Sequence, residues 1–248
     1  LNLNNENALY ELAHCLEMIG ELESHLTYYN DLVDRDPFSY LAWYNLGIAY
    51  NKLDRFQDSV NAFEYATLLK EDFASAFFHL GNSYYNLEQF DDAKAQYLRT
   101  IELEGEQPES CCCLATCYEK TGEIELAIKY YRLTVKLDSD WDDGWYGLGL
   151  CYGELGKWYE AAGFIRKALQ ITELNPDYWL ALAGTEFKIG NVITAFEAFE
   201  KAADIEPSNP EIWLKWSFVL FEQGNYDRAS ELIKTAIEEM PDDPDLYY

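Results

Sequence analysis

Residues 40–73 read YLAWYNLGIAYNKLDRFQDSVNAFEYATLLKEDF, and this 34-residue stretch decides how the rest of the chain is interpreted. Large apolar side chains recur in it at intervals of three and four residues, in two segments separated by a polar turn. The first segment contains Trp43 and Leu46, and the second contains Phe63 and Ala66. Such spacing places the apolar side chains on one face of an α-helix. Residues 40–73 therefore predict two amphipathic helices.

The same pattern recurs along the chain at a period of 34 residues, without insertion or deletion. The seven repeats, numbered 1 to 7, span residues 6–39, 40–73, 74–107, 108–141, 142–175, 176–209 and 210–243. Position 7 is Leu in every repeat except repeat 7, where it is Trp216, and position 8 is always Gly, Ala or Ser. Residues 1–5 and 244–248 match parts of further repeats. We therefore expect one repeat domain over residues 1–248, cut from a longer protein.

Glycine and proline mark the predicted helix ends. Position 15 is Gly in five repeats, where a helix that ends in the left-handed conformation favours it. Asp54 and Glu88 replace this Gly in repeats 2 and 3, so we expect those two turns to be formed differently. The seven Pro lie only at position 1, in the first helical turn, or at position 32, where the second helix must stop.

A 34-residue repeat with Trp at position 4, Leu-Gly at positions 7 and 8, and Tyr at position 11 resembles the tetratricopeptide repeat. The resemblance covers essentially the whole chain. It implies an all-α fold, a right-handed superhelical solenoid of antiparallel helix pairs. It also implies that the first helices of the repeats line a concave groove that binds peptides or partner domains.

In this family the groove-facing side chains come mainly from positions 2, 5, 9 and 12, with position 6 at the edge. Carried over to this chain, the resemblance places the following residues in the groove: Tyr10, His14, Tyr44, Asn45, Ile48, Asn51, Phe78, His79, Asn82, Tyr85, Glu109, Asp143, Tyr146, Asp177, Glu211 and Phe218. The aromatic rings would anchor a partner, and the amides could hydrogen-bond an extended peptide. The alternative is that Tyr at position 5 and Asn at position 6 are ordinary consensus residues of the family.

Position 2 of the last four repeats is acidic: Glu109, Asp143, Asp177 and Glu211. One interpretation is an acidic ladder along the groove edge, suited to Lys or Arg of a partner. The other is that acids in a first helical turn stabilise the helix dipole, by about 0.3–1 kcal/mol each.

Several glycines fall inside predicted first helices. Gly147, Gly153 and Gly184 could leave a recess in the groove floor that accepts a bulky partner side chain. The competing interpretation is a locally weakened helix, because each Gly costs about 1 kcal/mol relative to Ala.

The net charge is −27, and 49% of the residues are hydrophobic, which is enough for a continuous core. Nucleic acids and anionic membrane surfaces require basic protein surface, so both are disfavoured as partners. No apolar run is long enough to span a bilayer. A basic or apolar-basic protein segment is the partner that an acidic surface attracts, although such surfaces also serve solubility alone.

The six Cys and three His do not predict chemistry. Cys15, Cys117 and Cys151 all occupy position 10, where small core residues are expected. Neither a metal site nor a cofactor site is predicted, because zinc needs about four convergent ligands. Unpaired thiols suit a reducing cytoplasm, which is the predicted location. No nucleophile motif has a base at useful spacing, so we predict that the chain is not an enzyme.

The sequence thus predicts a non-catalytic scaffold that binds a peptide or partner protein in the groove of a repeat array. Two alternatives remain open. The chain could be the recognition domain of a larger enzyme or receptor, or it could assemble with copies of itself into a homo-oligomer.

Overall fold

The structure, a computed structural model, describes residues 22–241 together with residues 243 and 246. Thirteen α-helices and no strands occur within these residues. The helices are α1 (Leu22–Arg35), α2 (Tyr40–Asn51), α3 (Phe56–Leu69), α4 (Ala74–Asn86), α5 (Phe90–Glu104), α6 (Pro108–Lys120), α7 (Ile124–Leu137), α8 (Asp142–Glu154), α9 (Trp158–Ile171), α10 (Pro176–Ile189), α11 (Val192–Ile205), α12 (Pro210–Glu222) and α13 (Tyr226–Glu239).

The helix starts follow the 34-residue period. Each even-numbered helix from α2 to α12 begins at position 1 of a repeat, and each odd-numbered helix from α3 to α13 begins at position 17. Every repeat from 2 to 7 is therefore a pair of helices, and the two helices of a pair pack against each other wherever the pair lies within one compact unit. The predicted all-α array of helix pairs is confirmed.

The turns within the repeats are more uniform than expected. Asp54 and Glu88 have φ angles of 55° and 59°, in the same left-handed region that Gly occupies at position 15 of the later repeats. The expectation that these two turns are formed differently was wrong. Asp is one of the few residues other than Gly that adopt this conformation, and Glu88 adopts it at a cost of about 1–2 kcal/mol, so the turn geometry is kept without glycine.

Close approach of paired helices explains the small residue at position 8. A Cβ atom added at Gly47 would lie 2.7 Å from the ring of Phe63, and one added at Gly81 would lie 2.7 Å from the ring of Tyr97. The aromatic side chain at position 24 thus lies directly on the backbone of the first helix.

In repeats 2, 5, 6 and 7, tryptophan at position 4 joins the first helix to the preceding repeat. The indole Nε1 atoms of Trp43, Trp145, Trp179 and Trp213 each donate a hydrogen bond of 2.7–2.9 Å to the carbonyl oxygen six residues earlier, at position 32 of that repeat. A second link joins position 11 to position 25 of the preceding repeat. Tyr84 donates to Glu64, and Arg132 donates to Tyr152.

In repeat 6 the residue at position 11 is Glu186 instead of Tyr. Its carboxylate is fully buried, and it accepts hydrogen bonds from Arg166 of the preceding repeat and from Asn191. A buried carboxylate is tolerated only when it is paired in this way. The link between repeats is therefore kept with different chemistry.

The chain divides into two compact units, Leu1–Tyr130 and Tyr131–Tyr248. In the N-terminal unit, consecutive helices pack from α1 to α6. In the C-terminal unit they pack from α8 to α13, around a core that includes Phe199, Ile212 and Trp213. The pair formed by α12 and α13 packs less extensively than the pairs α8–α9 and α10–α11.

Candidate functional site

The predicted groove residues of the N-terminal unit lie on the first helices of their repeats. Tyr10 and His14 fall outside the described residues. The predicted groove residues on α2 and α4 are all half-buried. They are Tyr44, Asn45, Ile48, Asn51, Phe78, His79, Asn82 and Tyr85. Glu109, on α6, is exposed.

An aromatic cluster joins α2, α3 and α4. The ring of Tyr44 lies 4.9 Å from that of Phe73 and 5.7 Å from those of Phe63 and His79. The imidazole of His79 stacks on Phe63 at 5.8 Å and meets the edge of Phe78 at 5.5 Å. Burial raises the pKa of Tyr44 to about 12 and lowers the pKa of His79 to about 4. Both side chains are therefore uncharged near neutral pH, and much of their surface packs against other side chains of the protein.

Two predicted amides have their oxygen atoms engaged inside the protein. The Oδ1 atom of Asn82 accepts a hydrogen bond of 2.7 Å from the hydroxyl of Tyr97. The Oδ1 atom of Asn51 accepts one of 3.1 Å from Ser83. These bonds fix both amide planes, so that the Nδ2 groups are the donors left to meet a partner.

Tyr178, which the sequence did not single out, organises the first helices of repeats 5 and 6. It stands at position 3, where Ala42, Ala76 and Gly144 are small, and this difference was the available signal. Its ring lies 4.6 Å from that of Tyr146, and its hydroxyl donates a 2.8 Å hydrogen bond to Asp143. Burial, and then the bond to Asp143, raise the pKa of Tyr178.

The acidic residues at position 2 have different surroundings. Asp143 is an acceptor for Tyr178, as described above. Glu211 forms an exposed ion pair with Lys215 at 2.7 Å. Asp177 is exposed and has no ion pair within the described part of the chain. The three carboxylates of the C-terminal unit are therefore not an equivalent series, and Asp177 is the one most available to a partner.

The glycine recess exists at only one of the three predicted places. A Cβ atom at Gly147 would overlap the ring of Tyr131, so that space is already filled and the prediction was wrong there. At Gly153 an added Cβ would touch Trp158 at 3.4 Å. At Gly184 it would meet nothing within 4 Å.

Gly184 opens into a cavity of about 350 Å³ between α10 and α12, which we call the first-helix pocket. Its lining residues are Gly184, Phe187, Lys188, Phe199, Leu214, Lys215, Phe218 and Val219. The floor and walls are apolar, and Phe218 is 59% exposed at the rim. Gly184, Phe187, Leu214 and Phe218 occupy positions 9, 12, 5 and 9 of their repeats, the positions expected to face the groove.

The described residues were also compared with the requirements of a metal site, a reactive thiol and a membrane-spanning helix. No group of three or more His, Cys, Asp or Glu in this part of the chain could hold a metal ion. Cys111 and Cys117 are fully buried, and burial raises their pKa values to about 11 and about 12, so both thiols stay protonated. Among these residues no helix combines the length and the apolar character that a membrane crossing requires.

Comparisons with known proteins agree on the fold. Two sequence profiles described as tetratricopeptide repeat match the chain, one over residues 26–76 and 78–144 and the other over residues 188–248. No curated protein sequence matches it.

Several solved structures are similar to this chain. A chain of the APC/C hetero-tetramer Cut9–Hcn1 is 17% identical with a TM-score of 0.75, over 99% of this chain and 48% of that one. A tetratricopeptide repeat protein from Parabacteroides merdae is 15% identical with a TM-score of 0.76, over 97% and 94%. YrrB, described as having an unusual peptide-binding site, is 19% identical with a TM-score of 0.60, over 74% and 95%. The present chain thus spans about half the length of the Cut9–Hcn1 chain, and identities this low establish the fold alone.

Proposed function

This chain belongs to the tetratricopeptide repeat family, and on that premise we propose that it is a non-catalytic scaffold that binds a segment of a partner protein along its first helices. The first-helix pocket is the observation that carries the proposal. It is concave, apolar and formed by side chains from neighbouring repeats, which are the properties of a site that takes one anchoring side chain.

The neighbouring charges favour a partner segment that combines an apolar anchor with basic residues. Asp177 and Glu211 lie on the same faces of α10 and α12 as the pocket residues Gly184 and Phe218, because residues seven apart share a helix face. The net charge of −27 attracts basic segments from a distance and speeds their encounter. Lys188 and Lys215 at the pocket rim would restrict the basic residues of the partner to the Asp177 side.

A pocket-filling substitution tests this function without weakening the fold. Gly184→Leu places an aliphatic side chain in the pocket, and it should favour the helix because Leu has the higher helix propensity. Gly163→Leu, on α9, is the matched control: it is also a helical glycine in the C-terminal unit, and an added Cβ there meets nothing within 4 Å. Both variants should be at least as stable as the wild type.

The ligands for the test are peptides selected on the wild-type protein from a random phage-displayed library, with affinities measured by fluorescence anisotropy. We expect Gly184→Leu to weaken the selected peptides by about tenfold or more and Gly163→Leu to leave them unchanged. Equal affinity of the wild type and a folded Gly184→Leu variant would rule out the pocket as the anchoring site.

A further inference from the structure

A second cleft lies between the second helices of repeats 6 and 7, and we call it the second-helix cleft. It has a volume of about 430 Å³, within the range of ligand-binding pockets. Its floor is formed by Trp216 and Leu220 of α12. These two residues lie on the side of α12 opposite Leu214 and Phe218, because two residues along a helix correspond to about 200° of rotation. The cleft is therefore separate from the first-helix pocket.

Both walls of the cleft are regular helical stripes. Helix α11 contributes Ile193, Phe196, Glu197 and Glu200, and helix α13 contributes Arg228, Glu231, Leu232 and Thr235. In each wall the four residues fall at i, i+3, i+4 and i+7, which makes a continuous stripe about 10 Å long. Two such stripes above an apolar floor form a groove that accepts a helix.

Trp216 distinguishes the floor of this cleft from the equivalent surface of the other repeats. The other repeats have Leu at this position, and from Leu46 to Leu182 these side chains are buried in the core. The larger indole is only partly buried, and its ring stacks with that of Phe199 at 6.0 Å and with that of Trp213 at 6.3 Å. Its bulk accompanies the looser packing of α12 against both neighbours. The buried Nε1 of Trp216 has no hydrogen-bond acceptor within the described residues.

The exposed apolar surface and the charges at the mouth indicate what the cleft binds. Ile193 is 77% exposed at one edge. The charged residues that line the cleft are three glutamates and one cation: Glu197, Glu200, Glu231 and Arg228. None of the four forms an ion pair within the described part of the chain. The local balance is therefore negative, and it attracts Lys and Arg. A second copy of this chain also has a net charge of −27 and would be repelled.

We propose that the second-helix cleft is a docking site for a basic amphipathic helix of a partner protein. The apolar face of that helix covers Trp216, Leu220 and Ile193, and its Lys or Arg side chains meet the three glutamates. This site goes beyond the proposed function, because it lies on a different face of α12 and does not need the first-helix pocket.

The test uses a synthetic amphipathic helix about four turns long, with Leu on one face and Lys on the other, labelled for fluorescence anisotropy. A counterpart with Glu in place of Lys is the charge control. Ile193→Ser removes the exposed edge of the cleft, and Leu174→Ser is its matched control, since Leu174 is an equally exposed aliphatic residue at 78% that does not line the cleft. Glu197→Gln, Glu200→Gln and Glu231→Gln together remove the acidic mouth. Their control is the triple variant Glu154→Gln, Glu160→Gln and Glu173→Gln, which changes the net charge equally at exposed sites outside the cleft.

We expect the Leu/Lys helix to bind the wild type, and Ile193→Ser and the cleft triple variant each to weaken it by about tenfold. Both control variants and Gly184→Leu should bind like the wild type, and hydrogen exchange should slow in residues 192–205 and 226–239. Equal weakening by the two triple variants would show attraction to overall charge and overturn the proposal. The proposal is also overturned if the Leu/Glu helix binds as well as the Leu/Lys helix, or if the Leu/Lys helix does not bind. Slower hydrogen exchange confined to the first-helix pocket would overturn it as well.

Discussion

Protonation of His79 tests how tightly the aromatic cluster of the N-terminal unit is packed. The imidazole is enclosed by Tyr44, Phe63 and Phe78, and this burial lowers its pKa from the ordinary value of 6.5 to about 4. Well above pH 6.5 the side chain is neutral in the folded and the unfolded chain. Between these two values the unfolded chain binds a proton that the folded chain excludes, so the free energy of unfolding must fall as the pH is lowered.

The size of this effect follows from the two pKa values. A tenfold difference in proton affinity corresponds to about 1.4 kcal/mol, so the fall of the pKa from 6.5 to about 4 sets the full loss below pH 4 at no more than about 3–4 kcal/mol. Part of the ring remains accessible to water, which makes this an upper value. Replacement by an uncharged ring, His79→Phe, should remove the effect and keep the stacking on Phe63.

Hydrogen exchange of peptides covering α2 and α4 measures the relevant stability, because repeat arrays open locally. We expect the opening free energy of the wild type to fall relative to His79→Phe between about pH 6.5 and about pH 4. Helices α10 and α11 provide an internal control, since all three His of the chain lie before residue 80. Parallel pH profiles of wild type and variant in α2 and α4 would refute the account of a buried, neutral imidazole.

Two further predictions concern packing between helices, and urea unfolding of the variants checks both. Gly47→Ala should destabilise the protein by about 1–3 kcal/mol, because its Cβ would lie 2.7 Å from the fully buried ring of Phe63. Gly163→Ala should instead stabilise it by up to about 1 kcal/mol, and the same sign for both substitutions would contradict the argument. Arg166→Ala should cost about 3–5 kcal/mol by leaving the carboxylate of Glu186 buried and uncompensated. Glu186→Gln should cost about 1–2 kcal/mol, since the guanidinium is half exposed and can be hydrated; a reversed order would show that the buried carboxylate does not need its partner.

The helix positions could be predicted from the sequence because the information that sets them is local and repeated. A helix start at position 17 follows from apolar spacing, and seven copies of that spacing leave little ambiguity about the register. The one error in the turns, at Asp54 and Glu88, came from treating glycine as necessary. The geometry of the flanking helices imposes the left-handed residue, and the side chain there only changes its cost.

The candidate site was less predictable. The repeat period predicts which face of a helix a residue lies on, but it does not predict which side chains of other helices pack against that face. Gly147 and Gly184 both suggested a recess. The ring of Tyr131 fills the first, and the second is open. Tyr44 was expected to anchor a partner, yet its ring already packs on Phe63 and Phe73 and the side chain is only partly exposed. Whether the predicted groove residues bind a partner stays a prediction.

We expect partners to bind at residues that the repeat pattern does not fix rather than at residues that follow it. A consensus side chain is already committed to its neighbours, as Phe63 is to Gly47, and it leaves no surface to offer. Gly184 lies at position 9, where the repeats share no residue, and it removes volume; Trp216 replaces the Leu of the other repeats and adds volume. Each of the two residues lines a cavity beside α12, on opposite sides of that helix. Because a repeat array is stable through many equivalent contacts, it tolerates looser packing in one repeat, and the surface left uncovered there is where we expect a partner to bind.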